Sequence, residues 1–118
     1  MAVRTQADLI QQILENLQIV PQGQAPEQDD VDRVEKNLPS LLSELAGREI
    51  LYVPDIENID DTIFLSLAKI AAYELRRTFG TTGELEATLR GMNQEGIDNI
   101  RVIRRGRPTY EPVKTLSY

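Results

Sequence analysis

The chain has 118 residues and a mass of 13.3 kDa, which suits one domain with a tail rather than two independent cores. It contains neither cysteine nor histidine, which excludes zinc fingers, haem and iron–sulfur sites, disulfide frameworks and Ser–His or Cys–His nucleophiles. The net charge of −6 argues against general nucleic-acid binding, and the sequence predicts neither a membrane span nor an exported precursor.

The first predicted helix begins after Thr5, which forms a capping-box pattern with Asp8 three residues later. Its apolar residues recur at helical spacing and form one stripe, namely Leu9, Ile10, Ile13, Leu14 and Leu17. Pro21 and Gly23 predict the end of this helix at residues 20–23, because proline disfavours helix in the residue before it and glycine permits a turn.

A second predicted helix begins near Pro26, whose fixed φ suits a first helical turn. The residues that would face the core are Val31, Val34, Leu38, Leu41, Leu42 and Leu45. Pro39 lies in the middle of this helix and removes one backbone hydrogen bond, so we expect a kink or a break there. Gly47 is predicted to end the helix in the left-handed conformation.

Residues 50–54, Ile-Leu-Tyr-Val-Pro, form a short segment that favours an extended conformation. No second convincing strand exists in the chain with which this segment could pair. We therefore interpret residues 50–54 as an extended linker, or as a lone strand that pairs with another chain.

Two further helices follow. The third is capped by Asn58 or Asp60 and ends at residues 79–80, with a stripe formed by Ile63, Phe64, Leu67, Ile70, Ala71 and Leu75. The fourth follows a capping-box pattern at residues 81–84, and its stripe is Leu85, Leu89, Met92, Ile100 and Ile103. Gly91 and Gly96 each cost about 1 kcal/mol relative to alanine and weaken the middle of this helix. The predicted fold is all-α, a small four-helix bundle over residues 1–103 followed by an extended C-terminal arm, residues 104–118.

No pattern indicates a catalytic, cofactor-binding or metal-binding site. Residues 80–83, Gly-Thr-Thr-Gly, precede a helix as a phosphate loop does, but Glu84 follows where that loop needs lysine. The acids at 29–32 and 55–61 lack the spacing and the central glycine of a calcium loop. No Glu-x-Lys triplet follows Asp55, as a metal-dependent nuclease would need. We expect no enzyme activity, no cofactor and no metal.

The net charge conceals an asymmetry along the chain. Residues 1–63 carry a net charge of −9, residues 64–118 carry +3, and residues 101–118 alone carry +4. Opposite charges on one chain are complementary if copies of the chain associate. We expect an acidic face between subunits, formed by Asp29, Asp30, Asp32, Asp55, Asp60 and Asp61.

The C-terminal arm carries apolar side chains that a free, solvated tail gains nothing by exposing. Its two prolines stiffen the chain and reduce the entropy lost when an extended segment docks, and Tyr and Arg are frequent interface anchors. The arm is therefore predicted to dock on a partner chain. The residues predicted to make that contact are Arg104, Arg105, Arg107, Pro108, Tyr110, Pro112, Val113, Leu116 and Tyr118.

Three segments carry a resemblance to a known family. They are Leu51-Tyr52-Val53-Pro54-Asp55, the preceding helix end Ser43-Glu44-Leu45-Ala46-Gly47, and the closing Arg107-Pro108-Thr109-Tyr110-Glu111-Pro112. In their order and spacing, over most of the chain from about Asp8 to Tyr118, they resemble the head–tail adaptor (connector) proteins of tailed bacteriophages. Pro39, Gly91 and Gly96 depart from the smooth helices expected of that family.

The resemblance implies a structural protein of the virion that is located at the head–tail junction. During assembly of the virion it would be in the host cytoplasm. It implies a ring, usually of twelve copies, beneath the portal protein, with a tail or nozzle protein on the other side. DNA would pass through the channel without specific binding, and the C-terminal arm would dock on the portal or on a neighbouring subunit. No catalysis is implied.

The residues also leave an alternative open, which is a small helical DNA-binding regulator. Two helices around the turn at residues 79–82 suggest a helix-turn-helix, although Glu84 and Glu86 on the second helix would repel phosphates. Such a regulator would rely on the basic residues near the C-terminus, which are Arg101, Arg104, Arg105 and Arg107.

Overall fold

The computed structural model describes residues 3–106, and four helices make up most of this part of the chain. They are α1 (Gln6–Asn16), α2 (Gln28–Gly47), α3 (Asp61–Glu74) and α4 (Gly83–Gly106). The predicted all-α, four-helix class is confirmed. Two strands of two residues each, β1 (Val3–Arg4) and β2 (Ile59–Asp60), pair antiparallel and join the start of α1 to the start of α3. This pairing is too short to form a sheet with a core of its own.

Two of the predicted helix starts are confirmed by their hydrogen bonds. The Thr5 hydroxyl accepts a hydrogen bond from the backbone N–H of Asp8 at 3.2 Å, and the Asp8 carboxylate accepts one from the backbone N–H of Thr5 at 3.1 Å. Of the two residues predicted to cap the third helix, it is Asp60 that does so, because its Oδ1 accepts from the Thr62 N–H at 2.9 Å. Each cap satisfies backbone donors that have no partner within the helix.

The predicted end of the first helix is wrong in position, whereas for the second helix only the predicted left-handed residue is wrong. Helix α1 ends at Asn16, before the predicted turn, and Gln18 adopts a left-handed φ of 61°. Helix α2 does end at Gly47, but the left-handed residue is Glu49, with a φ of 59°. In both cases the second residue after the C-cap, Ile19 or Ile50, donates its N–H to a carbonyl five residues back, which is the Schellman motif.

Pro39 does not break the second helix, which is continuous over 20 residues. The side chain of Pro39 is exposed, whereas Leu38 and Leu41 on either side of it are buried. The carbonyl of Glu35 loses its helical partner on the solvent side of α2, where water can replace that hydrogen bond. The predicted break is therefore wrong.

Helix α3 ends at Glu74 rather than at residues 79–80, and residues 75–80 form successive turns. The N–H groups of Arg76, Thr78 and Gly80 each bond to the carbonyl three residues earlier. Arg76 lies in this turn and joins it to α4, since its Nε donates to Glu86 Oε2 at 3.3 Å. Its guanidinium carbon lies 3.8 Å from the centre of the Tyr73 ring.

The core combines the apolar stripes of all four helices with several buried residues that lie between the helices. The buried apolar residues include the predicted Leu9, Ile10, Ile13, Leu14, Leu17, Val34, Leu38, Leu41, Leu45, Phe64, Leu67, Ile70, Ala71, Leu75, Leu89 and Ile100, together with Ile50, Ile59 and Ile97. The other predicted stripe residues, among them Val31, Leu42, Ile63, Leu85 and Met92, are half-buried against this core. The helical spacing in the sequence therefore identified most of the interior.

Helices α3 and α4 form an antiparallel hairpin whose backbones approach closely at Gly96. A Cβ atom at Gly96 would lie 2.7 Å from the backbone oxygen of Ser66 and 3.1 Å from Cγ1 of Ile70. At Gly91, by contrast, a Cβ would have no neighbour within 4 Å. Gly96 therefore permits close contact between two helices, and helix α4 is continuous through both glycines.

Helix α4 continues through Gly106, so the predicted extended conformation of residues 104–106 is wrong. Arginines in the last turn interact favourably with the negative end of the helix dipole. The remaining part of the predicted arm, residues 107–118, lies outside the described residues. Within residues 3–106, no helix has the length and apolar character needed to cross a membrane.

Candidate functional site

Three exposed arginines form a cluster at the end of α4. Arg101, Arg104 and Arg105 line one shallow depression, and we call them the arginine cluster. None of the three forms an ion pair with another residue in the described range 3–106. Arg104 Nη1 donates hydrogen bonds to the backbone carbonyls of Glu49 and Ile50, the latter at 3.5 Å. The cluster therefore keeps its positive charge available at a defined position.

The segment at residues 50–54 lies beside this cluster. Tyr52 is 73% exposed and lines a depression together with Leu51, Glu49 and Arg104. Residues 51–53 have no regular secondary structure, and their pairing with another chain stays a prediction. Tyr52 belongs to residues 51–55, one of the segments that carry the family resemblance. The fold places it next to the end of α4, after which another of these segments, residues 107–112, begins.

The other residues predicted to dock on a partner lie outside the described part of the chain. They are Arg107, Pro108, Tyr110, Pro112, Val113, Leu116 and Tyr118. Of the predicted docking residues, only Arg104 and Arg105 have a described position, and both are exposed on the last turn of α4.

The six residues of the predicted acidic face occupy two places. Asp29, Asp30 and Asp32 lie on the first turns of α2, and none of them forms an ion pair with any residue between 3 and 106. The other three, Asp55, Asp60 and Asp61, precede or begin α3 and serve local structure. Asp55 Oδ1 accepts from the Glu57 N–H at 3.0 Å, Asp60 caps α3, and Asp61 pairs with Arg4 at 3.1 Å.

A groove between α1 and α2 has carboxylates on both sides. Its volume is about 310 Å³, and Ala7, Ile10, Pro26 and Val31 provide its apolar lining. Gln6 lies between two acids that also line the groove: its side-chain Nε2 donates to Glu35 Oε2 at 3.1 Å, and its backbone N–H donates to Glu57 Oε1 at 3.3 Å. We call this feature the α1–α2 groove. Of the described residues that line it, none is basic.

The loop beside this groove is attached to α1 through Glu15. The Glu15 carboxylate accepts hydrogen bonds from Gln11 Nε2 at 2.7 Å and from the Gly23 N–H at 3.0 Å. Gln11 Nε2 also donates to the carbonyl of Gln24 at 2.8 Å. The hydrogen bond from Gln11, followed by that from Gly23, lowers the pKa of Glu15 below its ordinary value of 4.5.

This lowered pKa predicts a pH-dependent contribution to stability. Because the pKa is lower in the folded than in the unfolded chain, the contribution is complete above about pH 4.5 and is lost as the pH falls through the folded value. Glu15→Gln should therefore lower the free energy of unfolding at about pH 7 more than at about pH 2. Urea unfolding of both proteins at each pH measures the two differences. Equal differences would contradict the prediction.

Sequence reasoning missed Tyr52, Glu35 and Glu57 as surface features. The sequence marks Tyr52 as an aromatic residue in a segment that has no strand to pair with. Its proximity to Arg104, however, depends on how α2 packs in the fold. Glu35 and Glu57 are 22 positions apart in the chain and come together only through Gln6.

Across the described range, no three acidic side chains are grouped as a metal site would require.

The fold and these surfaces define a small all-α protein with separate basic and acidic surfaces. No protein-family model, no curated protein and no solved structure matches the chain. The functional conclusion therefore depends on the residues themselves and on the resemblance of the three segments described above.

Proposed function

We propose that this protein is a structural head-to-tail adaptor of a tailed phage. In this proposal, copies of the chain form a ring, usually of twelve, beneath the portal protein and above a tail or nozzle protein. DNA passes through the ring without specific binding, and residues 107–118 dock on the portal or on a neighbouring subunit. The chain carries out no reaction in this role.

The observation that carries the proposal is the proximity of Tyr52 to Arg104. These residues belong to two segments that are about 50 positions apart in the chain, and both segments are adjacent to or part of the motifs that resemble connector proteins. An exposed tyrosine beside Arg104, which belongs to a cluster of three arginines without ion pairs in the described chain, is a typical composition for a protein contact. The observation supports a docking surface at the end of α4.

The distribution of charge supports a ring in particular. The arginine cluster lies at the end of α4, whereas Asp29, Asp30 and Asp32 lie at the start of α2. Contacts between two different surfaces of identical chains are heterologous, and such contacts close into a ring when the rotation between copies allows it. Attraction between basic and acidic surfaces would weaken with added salt.

The test compares the full chain with a chain that ends after Gly106. Removal of residues 107–118 leaves all four helices intact, so the helical circular dichroism signal should be unchanged. We expect native mass spectrometry to show the full chain as ring-sized particles, alone or bound to the portal ring encoded in the same genome. The shortened chain should fail to dock. A full chain that neither self-associates nor binds the portal would contradict the proposal.

A second candidate, the DNA-binding regulator, is favoured by the arginine cluster alone. Three exposed arginines on the last turns of one helix could contact phosphates. Glu84, Glu86 and Glu95 on the same helix oppose this, although Glu86 and Glu95 pair with Arg76 and Lys69. Retardation of duplex DNA by the full chain, with a steep loss of binding as salt rises, would favour this candidate over the adaptor.

A further inference from the structure

We infer that the α1–α2 groove binds residues 107–118 of a second copy of this chain. The inference rests on the proposed function, which requires contact between copies, and it identifies where on the neighbour that contact is made. Neither Glu35 nor Glu57 belongs to the acidic face predicted from the sequence.

The groove offers two carboxylates that have no ion-pair partner within the described part of the chain. Gln6 uses one oxygen of Glu35 and one oxygen of Glu57, at 3.1 and 3.3 Å. Each carboxylate retains its charge and a second oxygen, and both side chains are exposed. A guanidinium group can donate to such an oxygen in a charge-assisted hydrogen bond.

Besides the glutamines Gln6 and Gln11, the groove has an apolar part of its lining. Ala7 is exposed, Ile10 is buried beneath it, and Pro26 and Val31 close the side that α2 and its preceding loop provide. The hydrogen bonds of Gln11 and Glu15 hold the loop that carries Pro26 close to α1. The groove therefore has a defined width before any partner binds, which reduces the entropy lost on binding.

Residues 107–118 match this combination of charge and apolar surface. The segment carries Arg107 and Lys114 against one acid, Glu111, and it includes Tyr110, Val113 and Leu116. A fully extended chain of twelve residues spans up to about 40 Å, which is ample to reach an adjacent molecule. Pro108 and Pro112 favour an extended chain that can lie along a groove.

A mixed-chain disulfide experiment tests the inference, and the absence of native cysteine makes its result unambiguous. One chain carries Ala7→Cys, which lines the groove. A second chain carries Tyr110→Cys, Val113→Cys or Leu116→Cys in turn, so that the register of binding need not be known. The matched control replaces the first chain with Ala87→Cys, an exposed alanine on α4 outside the groove.

We expect at least one of the three pairs to give a disulfide-linked dimer with Ala7→Cys in a yield about tenfold above the Ala87→Cys control, because docking raises the local thiol concentration. Equal yields for the two alanine positions would overturn the inference. It would also be overturned if a doubly substituted chain formed the disulfide only within itself. A ring or a portal complex observed without the groove-specific disulfide would disprove the groove contact and leave the proposed adaptor function intact.

A charge exchange provides an independent measurement. Glu35→Arg should weaken association between copies about tenfold or more, because like charges would face each other across the contact. Adding Arg107→Glu to the same chain should recover most of that loss. Glu44→Arg, a reversal on the same helix but outside the groove, is the matched control and should change association little. Because the register is not fixed, Lys114→Glu, a change of the other basic residue of the segment, is tested in the same way, and failure of both exchanges to recover association would overturn the inference.

Discussion

Gly96→Ala is expected to destabilise the protein by about 1–3 kcal/mol. The added methyl group would lie 2.7 Å from the backbone oxygen of Ser66, which cannot move aside as the end of a flexible side chain can. Helices α3 and α4 would have to separate at this close contact, and Gly96→Val should have a larger effect for the same reason. The helix propensity of alanine, which favours the substitution by about 1 kcal/mol, opposes only part of this cost.

Gly91→Ala is the matched control for that prediction. Gly91 lies on the same helix, and a Cβ atom there meets nothing within 4 Å. This substitution should stabilise the protein by up to about 1 kcal/mol, because alanine gains helix propensity without a steric cost. Urea or thermal unfolding of the two variants measures both effects. A stabilising Gly96→Ala would mean that the two helices are not as close as described.

Leu67→Ala is expected to cost about 2.5–5 kcal/mol, which is a large part of the stability of a domain of this size. Leu67 is fully buried, and truncation would leave a cavity at the centre of the core. Leu65, two positions earlier on the same helix, is 57% exposed. Leu65→Ala should change the free energy of unfolding by no more than about 0.5 kcal/mol.

The comparison of the two leucines isolates burial from residue type. Both substitutions remove the same atoms and place alanine in the same helix, so helix propensity cancels between them. The denaturant midpoints should differ strongly, while the slopes of the transitions should remain similar. Comparable losses at both positions would contradict the orientation of α3, in which Leu67 faces the core and Leu65 lies in the groove that α3 shares with Val102 of α4.

Local patterns in the sequence predicted those features that depend on one helix at a time. The stripe of α1 and the capping box of Thr5 and Asp8 involve residues three or four positions apart, and both are confirmed. The same reasoning predicted Asn58 or Asp60 as the cap of α3, and Asp60 is the residue that caps it. In each case the interacting residues lie within one or two helical turns of each other, so the sequence alone is enough to predict the interaction.

Features that depend on contacts between distant residues could not be predicted in this way. Gly96 was interpreted as a weakness of α4, because the sequence does not contain its distance to Ser66. Pro39 was expected to kink or break α2, but the helix does not break there, because the exposed position of Pro39 makes the missing hydrogen bond tolerable. The left-handed residue at the end of α2 was expected to be Gly47, whereas Glu49 adopts that conformation, as Gln18 does after α1, within the hydrogen bonds of the helix ends.

The candidate surfaces, too, were predictable where they depend on neighbouring residues and not where they depend on contacts between distant residues. The sequence identified Arg104 and Arg105 by composition, and the structure adds Tyr52 beside them. The α1–α2 groove had no signal in the sequence, since Gln6, Glu35 and Glu57 come from three separate segments.

The hairpin of α3 and α4 has a mechanical consequence for the adaptor proposal. Helix α4 has 24 residues, which corresponds to a rod of about 36 Å, and α3 supports it by backbone-level contact at Gly96. A force applied to the end of the chain beyond Gly106 would travel along this rod into the core, because Gly96 lies against Ser66 and Ile70 of α3 and does not bend freely. In a ring, every copy would then transmit force between the portal protein and the tail or nozzle protein through its own helix α4.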